Sequence, residues 1–143
     1  MEDISNVKVT RIINASIEQV FDAWTDAEQM KHWYSPEGMT TPEAVSDCKK
    51  GGEYAVTMKM GEMTFQMHGK YLEFERPTRL VFTWDSAMFG DNNPTTVTVD
   101  FKKIDSNKTE VILTHSGFAT IEDRNQHDMG WNGTLNKLEK FVN

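Results

Sequence analysis

The sequence predicts an α+β fold in which one antiparallel sheet is closed by one long C-terminal helix. Three observations carry that expectation. Residues 40–117 read as a run of strands separated by short breaks, too short for the crossovers that parallel neighbours need. Between a first strand and that run, the apolar spacing switches from the strand period to the helical one. The chain then closes on a helical stripe of Trp131, Leu135, Leu138 and Val142.

Taken in order, VKVTRII (Val7 to Ile13) alternates apolar and polar residues, as a half-buried strand does. Ser16 and Gln19 form a capping box, and Ile17, Val20, Phe21 and Trp24 follow on one helical face. Asp26 and Gln29 repeat the capping pattern for a second short helix. It carries Met30 and Trp33 inward until Pro36 and Gly38 stop it. Six strands are expected next: TPEAVSDC, GEYAVTMKM, MTFQMHGKYLEFE, TRLVFTWDS, TTVTVDFKKI and TEVILTHSG. Their turns fall at 51–52, 61–62, 76–78, 87–94 and 105–107, each rich in turn formers or marked by glycine. Thr120 and Asp123 open the last helix as a capping box. Residues 120–142 as one helix span ~34 Å, enough to cross a strongly twisted sheet. At 143 residues, without a repeat or linker, one domain over 1–143 is expected.

Bulk composition narrows the function classes. The formal charge is −7 and the pI about 5.0, with no basic stripe, which argues against nucleic acid or an anionic membrane as main partner. Cys48 is the single cysteine, so no intramolecular disulfide forms and a reducing compartment fits. The start, MEDISNVKVT, has no apolar h-region, so no signal peptide is expected. No apolar run approaches the ~20 residues of a spanning helix. Sequons at Asn14, Asn107 and Asn132 then read as chance. The expectation is a soluble cytoplasmic protein.

Alternation places Tyr54, Val56, Met58 and Met60 on one strand face. It does the same for Phe65, Met67, Gly69 and Tyr71, for Leu80, Phe82 and Trp84, for Val97, Val99 and Phe101, and for Val111, Leu113 and His115. Leu72 and Phe74 fall out of phase, and a bulge near Gly69 would reconcile them. This apolar face is broader than one helical stripe covers. The first half of the last helix, EDRNQHD (Glu122 to Asp128), has no apolar residue. Its inward positions fall near Arg124 and near His127 or Asp128. The helix should therefore pack tightly at its C-terminal end and leave space at its N-terminal end. A closed core filled by Met and Phe is the competing reading, and the pattern leaves both open.

Several pieces of the chain resemble a known family: ASIEQVFDAWTDAEQMKHWYSPEG (15–38), GGEY (51–54), GKYLEFERPTRLVFTW (69–84), LTHSGF (113–118) and HDMGWNGTLNKLEKFV (127–142). In this order they are similar to the single-domain proteins related to the activator of the heat-shock-protein-90 ATPase, in the START-like (Bet v 1-like, SRPBCC) superfamily. The resemblance implies a helix-grip fold, a curved antiparallel sheet wrapped around a long C-terminal helix, with two short helices after strand one. It also implies a cavity between sheet and helix, used by relatives for apolar or aromatic small molecules. The family shares no single reaction: some relatives cyclise polyketides and some sequester toxic metabolites. The extra N-terminal domain of the eukaryotic chaperone activator has no counterpart here, so direct chaperone activation is not implied.

The candidate site residues are Met58, Phe65, Met67, Trp84, Phe101, His115, His127 and Trp131. Trp84 and Trp131 offer flat walls with an N–H donor each, or plain core. The methionines suit an adjustable wall, while Met60 and Met63, near their turn, read as core filling. His115 shares a face with Val111 and Leu113. It is either a polar anchor or acid/base group in a mostly apolar pocket, or a core histidine bonded to backbone or a nearby side chain. His127 faces the cavity mouth or solvent. Gly130 and Gly133 cost ~1 kcal/mol each in a helix interior; close approach to the sheet, room for a ligand, or a kink would account for them. The spacing of His32, His68, His115, His127 and Cys48 gives no zinc motif. No nucleophile elbow, P-loop or dinucleotide fingerprint appears, so no metal, cofactor or catalytic residue is assigned. The first reading is a carrier or sequestering protein for a small hydrophobic, ring-containing molecule. The alternatives are an enzyme acting on such a molecule with His115 as base, and a protein-interaction module. The latter would be a homodimer or chaperone-associated surface built on Met88 and Phe89 in the loop 87–94.

Overall fold

The order of elements is β1 (Val7–Ile13), α1 (Ile17–Thr25), α2 (Ala27–Met30), β2 (Thr40–Ser46), β3 (Glu53–Met60), β4 (Met63–Glu75), β5 (Arg79–Ser86), β6 (Thr95–Asp105), β7 (Lys108–Ser116) and α3 (Ile121–Val142). The structure, a computed structural model, describes residues 6–86, 95–118 and 120–142. The loop 87–94, with Met88 and Phe89, lies outside the described residues. The strands form one seven-stranded sheet in the order β1-β7-β6-β5-β4-β3-β2. Every pairing is antiparallel. From β2 to β7, strands consecutive in the chain are neighbours in the sheet, and β1 returns beside β7. The sheet curls into a half-barrel, with α3 against its concave side and the two short helices after β1. This is the α+β helix-grip arrangement.

Local chemistry sets the helix starts. Ser16 caps α1 by accepting from Gln19 N, while the Gln19 side chain accepts from Ser16 N. Asp26 caps α2 by accepting from Glu28 N, and the Gln29 amide donates back to Asp26. The Thr120 hydroxyl accepts from Asp123 N at the start of α3. Each such cap supplies a bond to a helix donor that has no intrahelical partner. The apolar face of α1 is buried through Ile17, Val20, Phe21 and Trp24, worth about 1.5–3 kcal/mol for each large side chain.

The bulge is not at Gly69. Gly69 pairs regularly with Tyr54, and the β4–β5 register slips instead between Tyr71 and Glu73. The extra residue is Leu72, which is exposed, so Tyr71 is buried and Phe74 turns back to pack on the core. Glycine at 69 answers a different constraint. A Cβ there would lie 1.9 Å from the Thr83 carbonyl oxygen and 2.8 Å from the Tyr54 ring. The Tyr54 hydroxyl donates to that same carbonyl at 2.6 Å, across β4 from β3 to β5. Met60 and Met63 do not fill the core. They flank the β3–β4 turn and are 45% and 50% exposed, because the hairpin tip extends past the packed interior.

Candidate functional site

A cavity of about 170 Å³ lies between α3 and the strands β3, β4 and β5. Its sheet wall is Met58, Phe65, Met67 and Trp84. Met58 and Phe65 are directly opposed on β3 and β4, as are Val56 and Met67, so these side chains share one concave face. The helix wall is Gln126, His127, Gly130, Trp131 and Thr134, all from the first two-thirds of α3. Tyr34, Pro36 and Met39, from the segment between α2 and β2, close the third side.

The opening at this end of α3 follows from how the helix is seated. Its C-terminal part buries Leu135 and Leu138 fully, and the helix packs chiefly on β1 and α1. Arg11 on β1 holds it there, donating to Asn136 Oδ1 and to Asn132 Oδ1, with Glu139 at 3.6 Å. At the other end, Arg124 donates to the Asn6 carbonyl at the start of β1. The helix thus leans toward the β1 edge, and β3–β5 curve away from it. The segment 34–39 fills part of that gap. Lys137 Nζ donates to Ser35 Oγ at 2.7 Å and to the Met39 carbonyl at 3.0 Å. Pro36 and Glu37 lie directly on the glycines of α3: a Cβ on Gly130 would meet Pro36 Cγ at 3.6 Å, and one on Gly133 the Glu37 nitrogen at 3.0 Å. Gly133 therefore admits this segment, not the sheet, whereas at Gly130 a Cβ would make only an ordinary contact with it.

Six of the eight sequence-predicted residues are brought together at the cavity: Met58, Phe65, Met67, Trp84, His127 and Trp131. Phe101 and His115 are not part of its lining. Phe101 packs under α1, 5.2 Å from the Phe21 ring and 6.3 Å from Trp24. Alternation fixed its face correctly but carries no information on position along the strand, and β6 there faces α1. His115 is fully buried, with Trp131, His127 and Phe118 rings packed over it. Its Nδ1 accepts from the Trp131 indole and its Nε2 meets the Thr95 hydroxyl. Burial, and secondarily the neighbouring His127, push its pKa down from 6.5 to about 2. It is a neutral core histidine, and the acid/base role considered for it does not match this setting. His127 donates its Nδ1 proton to the Asp123 carbonyl at 2.8 Å, which turns the ring inward.

The aromatic walls form a continuous cluster. Trp84 lies 5.0 Å from Trp131 and 6.2 Å, nearly parallel, from Tyr34. Trp131 stacks on Trp24 at 6.0 Å. Trp33, whose indole donates to the Ala23 carbonyl, and Trp24 fasten the helix pair to this cluster. Trp24 Nε1 and Trp84 Nε1 are sealed from solvent and have no hydrogen-bond partner among the described residues. Trp24 stands edge-to-face with Trp33, Tyr34 and Phe101, whose rings offer a weak acceptor surface. Tyr34, Gln126 and the segment 36–39 escaped sequence reasoning. Tyr34 directly follows Trp33 in a stretch with no periodicity, and only the fold turns it toward the sheet. Among the described residues no group of three His, Cys, Asp or Glu side chains is placed to hold a metal.

Residues 14–143 match the family model described as Activator of Hsp90 ATPase homolog 1-like protein. The chain belongs to this family. Family membership and fold agree with the START-like, Bet v 1-like superfamily. Solved structures show the same architecture. A protein from Chromobacterium violaceum superposes with a TM-score of 0.87 at 20% identity, covering 96% of each chain. The AHSA1 protein from Silicibacter pomeroyi gives 0.83 at 22% identity, over 94% of this chain and 95% of that one. The AHSA1-like protein from Aeromonas hydrophila gives 0.76 at 24% identity, over 95% and 92%. At these identities the likeness is one of fold. Among curated proteins, none matches the chain in sequence. Among the described residues of this AHSA1-like chain, no helix is long and apolar enough to cross a membrane.

Proposed function

We propose that this protein binds and carries, or sequesters, a small hydrophobic molecule containing a ring, held in the cavity between α3 and β3–β5. One observation carries the reading: a cavity of about 170 Å³ whose walls are dominated by Trp84, Trp131, Phe65, Met58 and Met67. Flat indole walls suit flat ligands, and methionines adapt their shape to them. A predominantly apolar hollow with a few convergent polar groups is the usual form of a small-molecule site. Binding is favoured over acid–base turnover because the buried histidine, His115, has both ring nitrogens engaged by protein groups and stays neutral.

Native mass spectrometry of gently isolated protein tests this directly, since a retained compound reports its own mass. Tryptophan quenching during titration with a set of neutral ring compounds is the second arm, because Trp84 and Trp131 are the walls. Saturable quenching that is lost in Met67→Trp, which fills the hollow, is the expected result. Absence of both a retained compound and saturable quenching would end the proposal.

A further inference from the structure

Among the described lining residues, all but one present the cavity with a carbon surface, a paired polar group or a solvent-facing amide. The exception is Tyr34. Among the described residues its hydroxyl has no hydrogen-bond partner. It is not one of the sealed orphans, which are Trp24 Nε1 and Trp84 Nε1. The residue as a whole is only 2% exposed and is one of the cavity's lining residues, so its hydroxyl is the unpartnered, unsealed polar group that the described lining carries. The Trp84 ring stacked against it also carries an unpartnered donor, but protein atoms close that one off. A buried hydroxyl without a partner costs about 1–3 kcal/mol in desolvation, and a ligand group that meets it recovers that cost.

Charge and size restrict the ligand further. Among the described residues, no Asp, Glu, Lys or Arg lines the cavity. The nearby cation, Lys137, is turned to Ser35 and the Met39 carbonyl. The one basic group of the described lining is the His127 imidazole, whose Nδ1 is committed to the Asp123 carbonyl. A carboxylate brought into this hollow would meet no Lys or Arg there, and an unpaired buried charge is strongly disfavoured. The chain's net charge of −7 adds to the barrier for anions. Burial raises the Tyr34 pKa well above 10.0, so the hydroxyl keeps its proton and can both donate and accept. As to size, a dry cavity of about 150 Å³ holds benzene, so about 170 Å³ holds one ring with a small substituent.

We infer that Tyr34 is the polar anchor of the cavity, and that its ligand is an uncharged single-ring molecule with one hydroxyl or carbonyl that pairs with the Tyr34 hydroxyl. This rests on the reading of the cavity as a ligand site. It adds the chemical class: neutral phenols and aryl carbonyls, in preference to plain hydrocarbons of the same shape and to aromatic acids.

The test uses three probes, toluene, phenol and benzoate, on the full chain and on Tyr34→Phe, which removes the hydroxyl and keeps the ring. Binding is read from the indole N–H resonances of Trp84 and Trp131. Thermal unfolding of the variant checks that it is folded. The expected result is that toluene and phenol bind, benzoate does not, and the phenol-to-toluene affinity ratio falls about fivefold in Tyr34→Phe. Comparing ratios cancels the different hydration of the two probes. If none of the probes moves these resonances, the ligand-site reading fails and the anchor with it. If toluene and phenol bind but their ratio is the same in both proteins, the cavity stands and the anchor is wrong. Benzoate binding as tightly as phenol overturns the uncharged class. Should Tyr34→Phe not fold, the wild-type phenol resonances decide: an intermolecular contact from bound phenol to the Tyr34 ring protons supports the anchor, and its absence in a phenol-saturated sample overturns it.

Discussion

The Trp131 indole donates its N–H to Nδ1 of His115 at 2.9 Å, and this bond fixes the protonation of a buried ring. An indole nitrogen only donates, so Nδ1 must accept. The proton of the neutral imidazole is then on Nε2 and points to Thr95 Oγ1 at 2.5 Å. The Thr95 hydroxyl passes its own proton to the Trp84 carbonyl at 3.1 Å. One chain of bonds therefore ties α3 to β7, β6 and β5, and it joins the two tryptophans that wall the cavity. A second proton on His115 would set it against the indole N–H, donor to donor.

Acid should therefore destabilise the fold through His115. The group titrates near 6.5 when unfolded and near about 2 when folded. Between those values the unfolded chain binds a proton that the native chain refuses, so stability rises with pH across the window. The contribution is complete above pH 6.5 and is lost progressively as pH falls toward 2, by about 1.4 kcal/mol per pH unit. In His115→Gln the amide oxygen can accept from Trp131 and the amide nitrogen can donate to Thr95, but nothing titrates. Urea unfolding as a function of pH should give a flatter curve for the variant. Parallel curves for the two proteins would contradict the assignment.

Strand and helix identities were legible because they rest on local periods: β1 and β4 have the ends that the alternation predicts. The capping residues Ser16 and Thr120 act as their spacing suggests. The lean of α3 was partly legible, since the polar stretch Glu122 to Asp128 cannot seal an apolar sheet. What the sequence could not supply was depth along the sheet. Phe101 and Trp84 sit on the same face by alternation, yet one packs under α1 and the other walls the hollow. Tyr34 was invisible for another reason: its orientation depends on the path of residues 34–39, which is set by distant partners on α3.

Gly69→Ala should be among the most damaging single-atom additions to the sheet. The new methyl would have to displace the Thr83 carbonyl, 1.9 Å away, which is also the acceptor of the Tyr54 hydroxyl. Both are fixed by the ladder, so relief requires moving a strand. A loss of more than about 3 kcal/mol is expected in chemical denaturation. Tyr54→Phe, which removes only the bond to Thr83, should lose about 1 kcal/mol. Comparable losses from the two would show that the close approach at Gly69 does not matter.

The two helix glycines should respond oppositely to alanine. At Gly130 the added carbon meets Pro36 Cγ at 3.6 Å, an ordinary contact. The helix then gains about 0.8–1 kcal/mol in propensity, and the melting temperature should rise by a few degrees. At Gly133 the carbon presses on the Glu37 backbone nitrogen at 3.0 Å, and the gain should be cancelled or reversed. Because Gly130 lines the cavity, its alanine should also weaken binding of ring compounds while the fold becomes more stable. Equal melting shifts in the two variants would remove this account of the glycines.

Lys137→Met tests whether the third wall of the cavity is held from α3. Methionine keeps the length and apolar stem of lysine but removes the donors to Ser35 Oγ and the Met39 carbonyl. Charged hydrogen bonds are worth about 1.5–3 kcal/mol when well shielded, and partial exposure of this group reduces that, so a global loss of about 1 kcal/mol is expected. The local effect should be larger in proportion. Ser35 would keep only its own bond to the Met39 carbonyl, at 3.2 Å, and the segment 34–39 would open more often than the sheet beneath it. Amide hydrogen exchange resolves the two effects. Faster exchange is expected at Met39, whose amide bonds to Pro36, with the amides of β6 and β7 little changed. Uniform acceleration across sheet and segment would mean that Lys137 stabilises the whole fold and does not specifically hold the cavity's wall.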